Sequence, residues 1–287
     1  MPKGAAPKIT MGSLGNEPRL ALGSMLPPGG PKSVVRLRMS LASGGRSTVP
    51  FDFLLAFEPG AKPAASSKTA AGTIPSATAV PPGGTEGGAF EYVARVTHAT
   101  VDASQVPRVD PKVKADLVKF NGSKIRFKLV ASGVGSDFVV ERSQTAPEEF
   151  EETLRSLSEL LATVLLPYPQ QPVGTDAYWM ATTRETVAGI DTVAYRLIRV
   201  QKVQGNSLSL QVDSKRYAAT TEVPGMAELE LQQFKSLGQG TLTVSQGSAI
   251  PTEAKLGQEL VALMSMSNQP GQMSIMQTRL NAVLSRP

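Results

Sequence analysis

A chain of 287 residues, 41% hydrophobic and 18% charged, is globular in composition and long enough to bury a large core. It has no cysteine, which excludes disulfides, thiolate metal sites and cysteine nucleophiles, and its net charge of +5 is what remains when 24 acidic residues offset 29 basic ones. No basic stripe interleaved with stacking aromatics appears, so no nucleic-acid partner is expected, and no apolar run reaches the roughly 18 residues of a transmembrane helix.

Residues 1–32 are rich in Gly and Pro and close on "LPPGGP", which reads as an extended, poorly ordered N-terminal segment. Residues 33–287 read as a single β-rich domain. In "SVVRLRMSLAS", Val35, Leu37, Met39 and Leu41 alternate with Arg36, Arg38 and Ser40, the period of a strand with one buried face. "FDFLLAFEP" follows after a Gly-Gly turn and completes a hairpin. Residues 59–89 have almost no bulky apolar side chain to offset the entropy of ordering them, and are expected to form a flexible insertion.

Strand patterns resume in "FEYVARVTHATV". After a proline-punctuated connection they continue in "SKIRFKLVAS" and "DFVVERS", joined by a "GVGS" turn. The period then changes: Phe150, Leu154, Leu157, Leu161 and Val164 recur at helical spacing, with Pro147 in the first turn and a Thr145/Glu148 capping box. A helix over about 147–166 is expected, stopped by Pro167. "LLPYPQQPVGTDAYW" reads as a joint into a second run of strands, with Tyr178 and Trp179 on opposite faces and Trp179 anchoring the sheet to the helix. Turns at "AGID" and "QGNS" separate the strands that follow. The fold class is mainly β: a large curved antiparallel sheet or half-open barrel with one long helix packed on it.

The C-terminal half also carries "PVGTDAYW", "YRLIRV" and "GQGTLTVSQGSAIPTEAKLGQEL" in that order. In this it resembles a family of uncharacterised, β-rich bacterial envelope proteins, often lipoproteins, and more loosely the half-barrels of lipoprotein carriers, in which a curved sheet with a helix across its mouth holds acyl chains. The resemblance implies a periplasmic or outer-membrane, cell-surface-associated location, with a signal sequence absent from this sequence. It brings no catalytic residues.

Candidate chemistry is sparse. His98 is the only histidine, and with Asp102 four residues on it lacks the G-x-S-x-G elbow of a hydrolase, so it reads as a surface strand residue. The acidic runs lack the spacing of a calcium loop, and "EEFEE" complements a helix N-terminus. Lys124, Arg126 and Lys128 share one strand face, a candidate contact for an anionic surface, though such a row is more often a solvated face. Met264, Met266, Met273 and Met276 suit either a pocket for varied apolar ligands or ordinary core.

The expectation is a non-enzymatic protein without cofactor or metal, binding a lipid or other apolar ligand, or an envelope partner, in the concavity of its sheet. Phe150, Leu154, Leu157, Leu161, Trp179, Tyr195 and Met264 would line that site. The alternative is a structural or assembly subunit acting through protein–protein contacts, including self-assembly.

Overall fold

The computed structural model describes residues 1–2, 5–22, 33–43, 46–47, 50–60, 90–102, 106, 108–129, 132–223, 228–246, 248, 250–266 and 269–287. In chain order its strands are β1 (Lys8–Ser13), β2 (Asn16–Leu20), β3 (Ser33–Ser43), β4 (Arg46–Ser47), β5 (Phe51–Pro59) and β6 (Phe90–Val101). Helix α1 (Pro111–Val118), β7 (Lys124–Leu129), β8 (Gly135–Glu141), helix α2 (Glu151–Val164) and β9 (Val173–Thr175) follow. The chain ends in β10 (Tyr178–Val187), β11 (Ile190–Gln204), β12 (Ser207–Ala218), β13 (Leu229–Ser245), β14 (Glu253–Met266) and β15 (Gln269–Ser285).

These strands form one large antiparallel sheet in the order β1-β10-β11-β12-β13-β14-β15-β3-β5-β6-β7-β8, which is not closed into a barrel. β4 pairs with β3 off that path, and β2 with β9 makes a separate ribbon. Two meanders, β3–β8 and β10–β15, are thus joined where the last strand pairs with β3, Leu280 opposite Leu41 and Leu284 opposite Leu37. The β10–β11 hairpin turns on Ala188 and Gly189, φ 49° and 78°, the left-handed conformations that a tight two-residue turn requires.

Along most strands the inner parity alternates, shifting at bulges such as that of β6 opposite Leu54–Leu55 and that of β11 between Val200 and Lys202. Leu37, Phe53, Ala94, Ile125, Trp179, Ile198, Leu210, Leu242, Ala254 and Leu284 all point to one side and are buried there with α2. On that helix the buried positions are Leu154, Leu157, Ser158, Leu160, Leu161 and Val164, a stripe at helical spacing, while Glu152 and Arg155 face solvent. Each Leu or Val so buried contributes roughly 1.5–3 kcal/mol.

Three local expectations are corrected. The N-terminal segment is not wholly loose: in "KITMGS", Ile9 and Met11 alternate inward, and β1 pairs with the edge of β10. The apolar alternation was short, and the surrounding Gly and Pro hid it. The capping box does not form, because a 3-10 turn at Glu148–Phe150 precedes α2 and Thr145 turns instead to Ser143 and the Lys119 carbonyl. The connection after β6 contains α1, capped by Asp110, whose carboxylate accepts from the Lys112 N–H at 2.8 Å, with Pro111 in the first turn. Of the 59–89 insertion, residues 61–89 lie outside the described residues.

Candidate functional site

The inner face is where the sequence placed an apolar ligand, and α2 occupies it. Leu154, Leu157, Leu161 and Trp179 are at most 1% exposed and belong to one packed cluster, with half-buried Phe150 against it. The Phe150 ring stacks on Phe120 at 4.4 Å. Trp179 Nε1–H donates to the Pro167 carbonyl at 2.9 Å, so the joint between helix and sheet is held by a buried hydrogen bond. Two enclosed spaces border α2 on this side. One holds about 20 Å³ between Leu160, Thr163, Arg196, Ser214 and Leu280, the other about 10 Å³ between Phe138, Ser158, Glu159 and Glu185. Water fits such spaces; an acyl chain does not.

Beside this apolar cluster the inner face carries charge. Glu185 on β10 bridges Arg196 on β11 and Arg216 on β12, all three buried. Arg196 also donates to Thr183 Oγ1 at 2.7 Å, and Arg216 to Thr163 Oγ1 of α2 at 3.4 Å. Burial alone would raise the Glu185 carboxyl, but the two guanidiniums outweigh it and hold the group down to about 2. Burial lowers the Arg196 guanidinium, with Glu185 opposing. Among the described residues Arg196 Nε, Arg216 Nη1, Ser158 Oγ and Ser236 Oγ have no hydrogen-bond partner, which fits ordered water in the adjoining spaces. Gly238 makes room for this network, since a Cβ there would lie 2.5 Å from Ser214 Oγ. Beyond it, Val187, Ile190, Leu231, Phe234, Leu260 and Met264 form a second apolar cluster.

The opposite, outer face of β10–β15 is unlike an ordinary solvated face. Among the described residues twelve large apolar side chains are exposed, and nine of them lie here: Tyr178, Met180, Tyr195, Tyr217, Leu237, Val261, Met273, Ile275 and Val283. Tyr195 is 43% and Ile275 68% exposed. Met180 stands opposite Leu197, the Tyr195 and Tyr217 rings meet edge-to-face at 6.0 Å, and Leu237 is opposite Lys215. Singly such residues need no explanation, but a concentration on one face does.

That face is also hollowed. Two adjoining depressions of about 720 and 670 Å³ share Gln239, Gly257 and Asn281. A coiled, right-twisted sheet is a saddle, concave along one diagonal on each side. α2 fills the inner concavity; the outer one is open. Its floor is the cross-strand row Leu197, Asp213, Gln239, Gly257, Asn281 and Ser40. One bank is Tyr195, Lys215, Leu237, Glu259 and Arg279, the other Gln211, Thr241, Lys255 and Val283.

The sequence-selected residues are therefore divided between the two sides. Phe150, Leu154, Leu157, Leu161, Trp179 and Met264 are inner, but Tyr195 is on the outer bank, displaced by Arg196, which takes the inward position to meet Glu185. Met273 is exposed outside, whereas Met276 packs against the second inner cluster. Lys124, Arg126 and Lys128 do share a face, yet Arg126 pairs with Glu141 at 2.8 Å and Lys128 with Asp137 at 2.8 Å. His98 is exposed at a bulge of β6 opposite Leu54, while Asp102 is buried past the strand's end. No cluster of three or more His, Asp or Glu side chains suited to a metal occurs among the described residues, and none of their helices is long and apolar enough to cross a membrane. The sequence reading missed Met180, Leu237, Gly257, Lys215 and Lys255. Adjacent large apolar residues in "AYWM", which supply both faces of one strand, were the available signal. No family model, curated protein or solved structure matches the chain.

Proposed function

We propose that this is a non-catalytic binding protein that docks a partner on the outer face of the β10–β15 meander, as a structural or assembly component. The observation that carries the reading is the concentration of nine exposed large apolar side chains on the face that is also hollowed, while the inner concavity is filled by the chain's own helix. The outer face of β3 and β5–β8 provides the contrast: among its described residues Val34 is the one large apolar side chain exposed, although both faces carry cross-strand ion pairs, Arg126–Glu141 and Lys128–Asp137 on one and Arg184–Asp191 and Arg199–Asp213 on the other. In the setting that the family resemblance implies, the partner belongs to the cell envelope. Cell fractionation of the tagged protein tests that part separately.

The docking reading is tested with the double variant Tyr195→Glu/Leu237→Glu, whose side chains lie outside the core. Native electrophoresis of gently solubilised source cells should show the wild-type protein in a complex larger than a monomer and the variant running as the monomer. A variant that remains in the complex sinks the reading.

A further inference from the structure

The geometry points to an acidic amphipathic helix as the occupant of the outer trough. This inference rests on the docking reading above and adds the chemistry of the partner.

The trough runs across the strands, from Met180 on β10 to Arg38 and Ser40 on β3. Seven strands at about 4.8 Å spacing make it about 29 Å long, the length of a helix of about 19 residues at 1.5 Å rise. On β12 the banks are marked by Lys215 and Gln211, four residues apart, hence about 13 Å, against a helix diameter of about 10–12 Å. A single extended strand would leave the banks untouched.

Charge sets the sign. Arg38, Arg199, Lys215, Lys255 and Arg279 line the hollows, against Asp102, Asp213 and Glu259. Asp213 is already paired with Arg199 and Glu259 with Arg279. Lys215 and Lys255, on opposite banks, make no ion pair among the described residues, while Arg38 Nε lies 3.6 Å from the Asp52 carboxylate, too far for a hydrogen bond. A helix with carboxylates on both flanks meets a lysine on each side. Its apolar stripe falls on Met180, Tyr195, Leu197 and Leu237 at the β10–β13 end, and its carboxylates gather over Lys255 and Arg38 at the other.

Gly257 in the floor is a second, independent observation. Glycine weakens a strand and often marks a bulge, a bend or a place where a ligand or another backbone approaches closely. A Cβ at Gly240 would lie 2.4 Å from Leu256, but one at Gly257 would meet only Asn281 Oδ1, at 3.4 Å. Among the described residues no contact requires the missing side chain. What it does is leave the middle of the trough open.

The probe is a 19-residue helical peptide with leucines at helical spacing and glutamates on both flanks, labelled for fluorescence anisotropy and compared with its glutamate-to-lysine counterpart. The acidic peptide should bind the full chain at least about tenfold tighter, weakening with salt. Lys215→Glu/Lys255→Glu should lose about tenfold and reverse the preference between the peptides. Gly257→Trp should abolish binding with an unchanged melting temperature. Equal binding of both peptides, or wild-type binding by Gly257→Trp, overturns the proposal. So does the absence of binding: if Tyr195→Glu/Leu237→Glu nevertheless dissolves the native complex, only the partner chemistry is wrong, and if that complex also persists, the docking reading falls with it.

Discussion

The two sides of the β10–β15 meander differ in a way that inverts the simplest expectation for a sheet. The inner face, covered by α2, contains two arginines and a glutamate; the outer face, open to water, carries tyrosines, methionines and branched aliphatics. Each inversion has its own cause. The inner charges are tolerated because Glu185 is shared by Arg196 and Arg216 and the remaining donors face water-sized spaces. The outer apolar residues are left exposed among the described residues. Charge inside thus serves the fold, and apolar surface outside is what the proposed docking rests on.

The comparison is broken most strongly from the inside. Glu185→Ala leaves two buried guanidiniums without a counter-charge and should cost about 3–5 kcal/mol in urea unfolding, whereas Glu259→Ala, which breaks the exposed pair with Arg279, should cost at most about 1 kcal/mol. Comparable losses from the two would mean that the cluster is not buried as described. Trp179→Ala removes the largest fully buried side chain and its bond to Pro167, and a loss of about 3–5 kcal/mol is expected in the same assay.

A smaller effect separates the two inner carboxyls by pH. Glu185 is held at about 2, so its contribution is present above an unfolded value near 4.5 and is lost as the pH falls from there toward 2. Glu159, half-buried on α2 and accepting the Ala188 N–H at 3.1 Å, is pushed up to about 7 chiefly by burial, with Ala188, Arg216 and Arg155 opposing and Glu185 reinforcing. Between pH 4.5 and 7 the folded protein keeps a proton there that the unfolded chain has released, so stability falls as pH rises through that window. Glu159→Gln should flatten that slope and melt higher than wild type above pH 7, by on the order of 1 kcal/mol after solvent screening. An unchanged pH profile would contradict the burial of this group. Smallest of all, Tyr195→Ala and Leu237→Ala should each change stability by no more than about 0.5 kcal/mol, as expected of exposed side chains outside the core.

Much of the architecture was legible. Period-2 alternation finds the strands of the two meanders but not β1, β2 or β9, helical spacing finds α2, and the proline-rich joint is read with Tyr178 and Trp179 on opposite faces, as the structure has them. The candidate site was legible only in part, because alternation assigns residues to two faces without saying which is covered. In "YRLIRV" the usual rule sends Tyr195 inward and Arg196 outward. The actual choice was decided by Glu185 and Arg216, which lie 11 and 20 residues away and meet Arg196 only through the register of three strands. Gly257 was invisible for a related reason: its role depends on which residues surround it across β13 and β15, and nothing in "KLGQEL" records them.

Hydroxyl-radical footprinting, with and without the acidic probe peptide, tests the central contrast most directly. Met180, Tyr195, Tyr217 and Met273 should oxidise rapidly in the free protein while Trp179, Met39 and Phe53 resist, and the peptide should protect Met180, Tyr195 and Leu237 but leave Met273 reactive. Rapid oxidation of Trp179, or protection that falls away from the trough, would contradict the account.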